Sequence, residues 1–174
     1  ALQQQQVLHR AGIGRGSQHQ QVSDYRGDSI HWLDGATTAQ QAYLAQMENL
    51  RLALNRQLFL GLFELECHFA WYPAGAFYKK HLDSFVGAAN RIVSVVSYLN
   101  PEWEKADGGE LVIYDPAEDD TVITRVLPIA GTTVVFLSEQ VPHEVRITHR
   151  SRYSIAGWFR CNASDGGQVD PGKA

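Results

Sequence analysis

The strongest constraint on this fold is a change of apolar period at Leu62. Before it, Thr37 or Thr38 can cap a helix running to about Gln57, with Tyr43, Leu44, Met47, Leu50, Leu52 and Leu54 as its apolar face. After it, apolar residues come in runs of strand length: Leu65–Trp71, Phe77–Leu82, Ile92–Leu99, Glu110–Tyr114, Val122–Leu127, Thr132–Leu137, Glu144–Ile147 and Tyr153–Phe159. Tyr72-Pro73-Ala74-Gly75, Gly108-Gly109, Asp115-Pro116 and Ala130-Gly131 punctuate several of these runs with turn-forming residues. A further short strand is expected at Ser29–Leu33, ahead of the helix. One packing helix and seven or more strands predict an α+β, mainly β chain whose antiparallel strands form a sandwich or barrel.

The 174 residues are read as one domain, 1–174, with no internal repeat. Gly12–Gly27 is rich in Gly, Ser, Gln and charge and reads as a loop, and Asn162–Ala174 reads as a loose polar tail. A formal net charge of -4 argues against a general nucleic-acid or membrane-surface binder, and no apolar run approaches the length of a membrane span. The polar Gln3–Gln6 run lacks the charged-then-apolar layout of a secretory signal. Cys67 and Cys161 are the only cysteines, which fits reduced thiols in a cytoplasmic protein better than a disulfide scaffold.

The chemistry is concentrated in His81-Leu82-Asp83, His143 and Arg152. On a strand, side chains two apart share a face, so His81 and Asp83 can converge while Leu82 points into the opposite layer. His143 follows Val141-Pro142 at an expected strand start and must arrive from a distant part of the chain. Two imidazoles and a carboxylate can hold one face of a ferrous ion, leaving about three positions for a bidentate co-substrate and dioxygen. Zinc with a bound water is the alternative metal for the same ligands. Arg152 adds a fixed cation beside the metal and points to an acidic co-substrate. His9, His19, His31, His68 and His149 are left unassigned, because none has a carboxylate at same-face spacing in a comparable strand-end setting; His68, in an expected strand, reads as a satisfied interior or sheet residue.

These residues belong to a longer ordered set: Arg26-Gly27-Asp28-Ser29-Ile30-His31-Trp32, Tyr72-Pro73-Ala74-Gly75, Tyr78-Lys79-Lys80-His81-Leu82-Asp83, Ser97-Tyr98-Leu99-Asn100, Gly108-Gly109-Glu110-Leu111, Pro142-His143-Glu144-Val145 and Ser151-Arg152-Tyr153-Ser154-Ile155. On that set the chain resembles the Fe(II)- and 2-oxoglutarate-dependent dioxygenases. Within them it is similar to the prolyl 4-hydroxylases related to those that modify hypoxia-inducible factor, in the form of a compact bacterial member.

The resemblance implies a double-stranded β-helix, a jelly-roll of the cupin type, with a supporting N-terminal helix. It implies His81, Asp83 and His143 as metal ligands and Arg152 as the partner of the distal carboxylate of 2-oxoglutarate, a task suited to its forked donors. Tyr98 would donate to that same carboxylate, Tyr72 would lie near the metal-chelating end, and Leu111 would form an apolar wall. Fe(II) is the implied metal, 2-oxoglutarate and O2 the co-substrates, and ascorbate a candidate reductant. The implied reaction hydroxylates a prolyl residue in a protein partner, with release of succinate and CO2. Residues 12–28 would include a mobile loop covering that substrate, and Arg26, Asp28, Arg91 and Trp158 would line its approach. The segment Ser84–Asn90 departs from the animal enzymes, being one residue longer and different in character. The competing readings are a 2-oxoglutarate oxygenase acting on another side chain or a small molecule, a non-catalytic 2-oxoglutarate or metal sensor, and a purely structural β-sandwich.

Overall fold

The helix α1 (Thr38–Leu58) starts where Thr37 accepts a hydrogen bond from the Gln40 backbone N–H at 3.2 Å, satisfying one of the donors left open at a helix N-terminus. It stops at Phe59, whose φ of 55° turns the backbone left-handed and lets its N–H close on the Asn55 carbonyl. The computed structural model describes residues 9–10, 25–84 and 90–162. The expected mobile loop therefore lies outside the described residues except at residues 25–28. So do the tail beyond Asn162 and most of the divergent Ser84–Asn90 segment.

The strands follow the period read from Leu62 onward. They are β1 (His9–Arg10), β2 (Ser29–Trp32), β3 (Leu62–Tyr72), β4 (Tyr78–His81), β5 (Arg91–Tyr98), β6 (Leu111–Tyr114), β7 (Val122–Val126), β8 (Thr133–Leu137), β9 (His143–Val145) and β10 (Arg152–Cys161). A six-stranded sheet runs β1-β2-β3-β10-β5-β8 and a four-stranded sheet runs β4-β9-β6-β7, with every named pair antiparallel.

Alternation along β10 shows how the layers form. Phe159 lies on one face and packs with Met47, Leu62, Val93 and Val95, joined by Tyr43, Leu50 and Leu54 of the helix. Leu52, expected on the helix's packing face, is 37% exposed instead, because it lies two residues and so about 200° around the helix from Leu50. The opposite face of β10 carries Arg152, Ser154, Ala156, Trp158 and Arg160. That side looks into an interior where Ala70, Tyr72 and Tyr98 of the larger sheet meet Leu111, Ile113 and Val145 of the smaller one. Two facing antiparallel sheets with the helix outside the larger one make a double-stranded β-helix. No helix among the described residues is long and apolar enough to cross a membrane.

Candidate metal and co-substrate site

The register of the smaller sheet sets His81 of β4 directly opposite His143 of β9, and the ring centroids stand 4.3 Å apart. Asp83 Oδ1 lies 3.5 Å from His81 Nε2 and 3.7 Å from His143 Nε2. One donor atom from each of the three residues falls within 4.8 Å of the others, a spacing that could hold a metal ion. Strand alternation is not what brings Asp83 there. The strand ends at His81, Asp83 sits in the bend that follows, and Leu82 is 36% exposed rather than packed in the opposite layer.

Both imidazoles are oriented by backbone carbonyls two residues earlier. His81 Nδ1 donates to Lys79 O at 2.7 Å and His143 Nδ1 to Val141 O at 3.0 Å, which directs both Nε2 lone pairs into the shared space. Tyr78 stacks on His81 at 3.6 Å, and Phe136 meets His143 edge-on at 4.7 Å, so neither ring is free to swing. Burial lowers the pKa of His143 and favours its neutral, ligating form. Burial works the other way on Asp83, but the imidazoles of His143 and His81 and a hydrogen bond from Ser94 outweigh it and hold the carboxyl below its ordinary range. The donor set is thus two imidazoles with Nε2 turned inward and one carboxylate, a set that suits a divalent ion.

Deeper in the same interior, Arg152 is 1% exposed. Its Nε donates to Gly109 O at 2.9 Å and Nη1 reaches Ser154 Oγ at 3.4 Å, while the guanidinium lies 4.9 Å from the Tyr72 ring centre and 5.1 Å from that of Tyr98. No ion pair joins it to a carboxylate of the described residues. The Tyr98 hydroxyl is buried without a hydrogen-bond partner. A buried cation without a counter-ion and a buried donor without an acceptor are both costly, the latter by about 1–3 kcal/mol. A carboxylate from a ligand would relieve both. Leu111 packs in the same cluster as Tyr72 and Tyr98. The Gly108-Gly109 pair has a steric reason here: both φ angles are positive, and a Cβ on Gly109 would come within 3.1 Å of the Arg152 side chain.

The four residues expected along the substrate approach fall into two clusters. Arg26 forks onto Asp28 at 2.7 and 2.6 Å and lies 4.4 Å above Tyr78, the same ring that backs His81. Arg91 covers Trp158 at 3.6 Å and pairs with Glu66 at 2.6 Å. Sequence reasoning overlooked Glu66, Ser94 and Ser138, and it read His68 as satisfied. His68 is buried between Trp32 and Trp158, its Nδ1 has no partner, and burial pushes its pKa down to about 4. The period of β3 carried a usable signal, since positions 66, 68 and 70 share the face of Tyr72.

This fold and constellation define a non-haem iron oxygenase. The chain belongs to the 2OG-Fe(II) oxygenase superfamily, whose family model matches residues 67–160. It is 51% identical to a crystallised Pseudomonas putida prolyl-4-hydroxylase, across 80% of this chain and 74% of that one, with a TM-score of 0.75. A Trichoplax adhaerens prolyl hydroxylase, solved with a hypoxia-inducible-factor oxygen degradation domain peptide fragment, is 29% identical across 91% of this chain and 73% of that one, with a TM-score of 0.78. The hypoxia-inducible factor prolyl hydroxylase of Caenorhabditis elegans is 30% identical over 149 residues, which are 79% of this chain. That match spans 20% of the worm protein, and a second, to a PKHD-type hydroxylase of Synechocystis at 28% identity, covers 56% of this chain and 36% of that protein. Membership in the superfamily implies Fe(II), with 2-oxoglutarate and O2 as co-substrates.

Proposed function

We propose that this chain is a prolyl hydroxylase of a protein substrate, in which His81, Asp83 and His143 hold Fe(II) and Arg152 and Tyr98 anchor the distal carboxylate of 2-oxoglutarate. The observation that carries this reading is the unmatched pair in the interior. A buried guanidinium without a counter-ion lies beside a buried hydroxyl without a partner, in the same barrel as the His-Asp-His set. Bound iron, with 2-oxoglutarate and O2, supplies the oxidising power to hydroxylate an unactivated C–H bond with release of succinate and CO2.

The chain's own contribution is placement. Lys79 O and Val141 O hold the two Nδ1–H groups and so keep Nε2 of each imidazole aimed inward. Gly109 O and the two tyrosine rings fix the Arg152 fork before any ligand arrives, so little orienting entropy is lost on binding. Tyr72 and Leu111 form apolar walls that keep water from the charged groups. The Arg26–Asp28 and Arg91–Trp158 clusters would flank the approach of a peptide, with Arg26 and Arg91 held in place by Asp28 and Glu66. The similarity to prolyl hydroxylases at 51% and 29% identity favours proline as the target residue. A cytoplasmic site of action is part of this reading, since neither Cys67 nor Cys161 is in a disulfide.

The test is an anaerobic titration of the Fe(II)-loaded protein with 2-oxoglutarate, followed by visible absorption and then by exposure to air with proline-containing peptides. A saturating charge-transfer band and a gain of one oxygen on proline are expected. Absence of the band at confirmed iron occupancy would overturn the site assignment. Oxygen found only on another residue or on a free metabolite would overturn the prolyl assignment.

A further inference from the structure

The two carboxylate oxygens of Asp83 have different surroundings. Oδ1 faces the imidazole nitrogens at 3.5 and 3.7 Å, whereas Oδ2 accepts a hydrogen bond from Ser94 Oγ at 2.6 Å. That length is typical of a hydroxyl donating to an ionised carboxylate, about 2.5–2.7 Å. Ser94 has one proton to give. With it committed to Asp83, the 2.9 Å contact between Ser94 Oγ and Ser138 Oγ must run from Ser138 as donor. Both serines are fully buried, so no solvent competes with either bond.

The relay also joins the two sheets. His81 and His143 come from the four-stranded sheet, while Ser94 lies in β5 of the six-stranded sheet, opposite Trp158 on one side and Phe136 on the other. Ser138, just beyond β8, is pinned by its own N–H, which donates to Ile92 O at 3.0 Å. Asp83 stands past the end of its strand, so no ladder hydrogen bond of β4 fixes its side chain. The hydroxyl pair supplies that constraint from the other side of the barrel.

We infer that Ser94, backed by Ser138, is a positioning residue that holds Asp83 to ligation through Oδ1 alone and so keeps Oδ2 from competing with the chelating co-substrate for the metal. The inference rests on the assignment of His81, Asp83 and His143 as ligands. With three single-atom donors, about three octahedral positions remain, and 2-oxoglutarate and dioxygen need all of them. A carboxylate released at Oδ2 can turn both oxygens to the metal, where Oδ2 competes with the chelating oxygens of 2-oxoglutarate for those positions. Single-oxygen ligation is therefore a property of the Ser94 contact, not of the His-x-Asp spacing.

The experiment compares wild type, Ser94→Ala, Ser94→Thr and Ser138→Ala as Fe(II)-loaded proteins under anaerobic conditions. Iron content is matched, and 2-oxoglutarate is titrated against the visible band. Ser94→Ala should require about tenfold more 2-oxoglutarate for half-saturation, and Ser94→Thr, which keeps the hydroxyl, should recover most of that loss. Ser138→Ala should shift the midpoint in the same direction by less, and it carries the test alone if Ser94→Ala does not fold. An unchanged midpoint in a folded Ser94→Ala at full iron occupancy overturns the inference, as does a loss that Ser94→Thr fails to recover. A wild-type protein that binds iron but shows no band marks failure of the underlying site assignment instead, so the two outcomes are distinct. A merely structural serine would lower the melting temperature of the metal-free protein and leave the midpoint in place.

Discussion

The Tyr98 ring centre lies 5.1 Å from the Arg152 guanidinium, and the buried Tyr98 hydroxyl has no hydrogen-bond partner. Strand pairing produces this neighbourhood, since Tyr98 of β5 is in register with Ser154 of β10, two residues from Arg152 on the same face. Tyr98→Phe removes a donor that the ligand-free protein does not use. The melting temperature of the metal-free variant should therefore equal or exceed that of wild type. Its affinity for 2-oxoglutarate should fall about five- to tenfold, the worth of one hydrogen bond. Calorimetric melting and the anaerobic titration check the two halves separately. A destabilised variant with normal affinity would show that the hydroxyl serves the fold.

Arg152→Met extends the same logic to charge. A buried cation without a counter-ion does not stabilise the fold, and a flexible apolar replacement of similar length should leave metal-free stability unchanged or improved. In the wild type, 2-oxoglutarate at 100 times its Kd should add about 2.7 kcal/mol to the stability of the iron-loaded protein. That increment should vanish in Arg152→Met. A retained ligand-induced shift would count against the arginine as the anchor.

His81→Ala and Asp83→Ala should each abolish iron retention and turnover while the far-UV circular dichroism spectrum stays that of wild type. His81 is held by one backbone contact and a stacked Tyr78, and neither is a core element of the larger sheet. Turnover preserved at normal iron content would remove the residue concerned from the ligand set.

Stability of the metal-free protein should depend on pH through His68. Burial holds its folded pKa at about 4 against an ordinary 6.5, so between these values the unfolded chain binds a proton that the folded chain does not. Stability therefore falls as pH drops through that window, by up to roughly 3 kcal/mol from this group alone. Burial of His143 acts in the same direction. Urea midpoints at pH 7 and pH 5 give the slope, and His68→Leu should flatten it. An unaltered slope in that variant would exclude His68 as the titrating group.

Much of this architecture could be read locally. The helix from Thr38, the strands after Leu62 and the oxygenase family all follow from short-range pattern, because capping, period and turn chemistry act over a few residues. Mismatches appear where short-range pattern gives out. Leu82 was expected inside, but its strand had already ended at His81, and Leu52 was assigned to a packing face that the helical turn carries away from the core.

The amino-acid sequence by itself determined which donors this chain possesses and on which local elements they stand: His81 and Asp83 two apart, His143 after Pro142, and Arg152 at the start of the last strand. Only the tertiary structure decided what they face. Register between distant strands sets His81 opposite His143, leaves Arg152 without a carboxylate partner and the Tyr98 hydroxyl without a hydrogen-bond partner, and brings Ser94 and Ser138 to Asp83. The physical reason is that cross-strand pairing is a non-local choice. It is made by which faces bury together and which polar groups find partners when the two sheets close, and no window of sequence contains both sides of that contact.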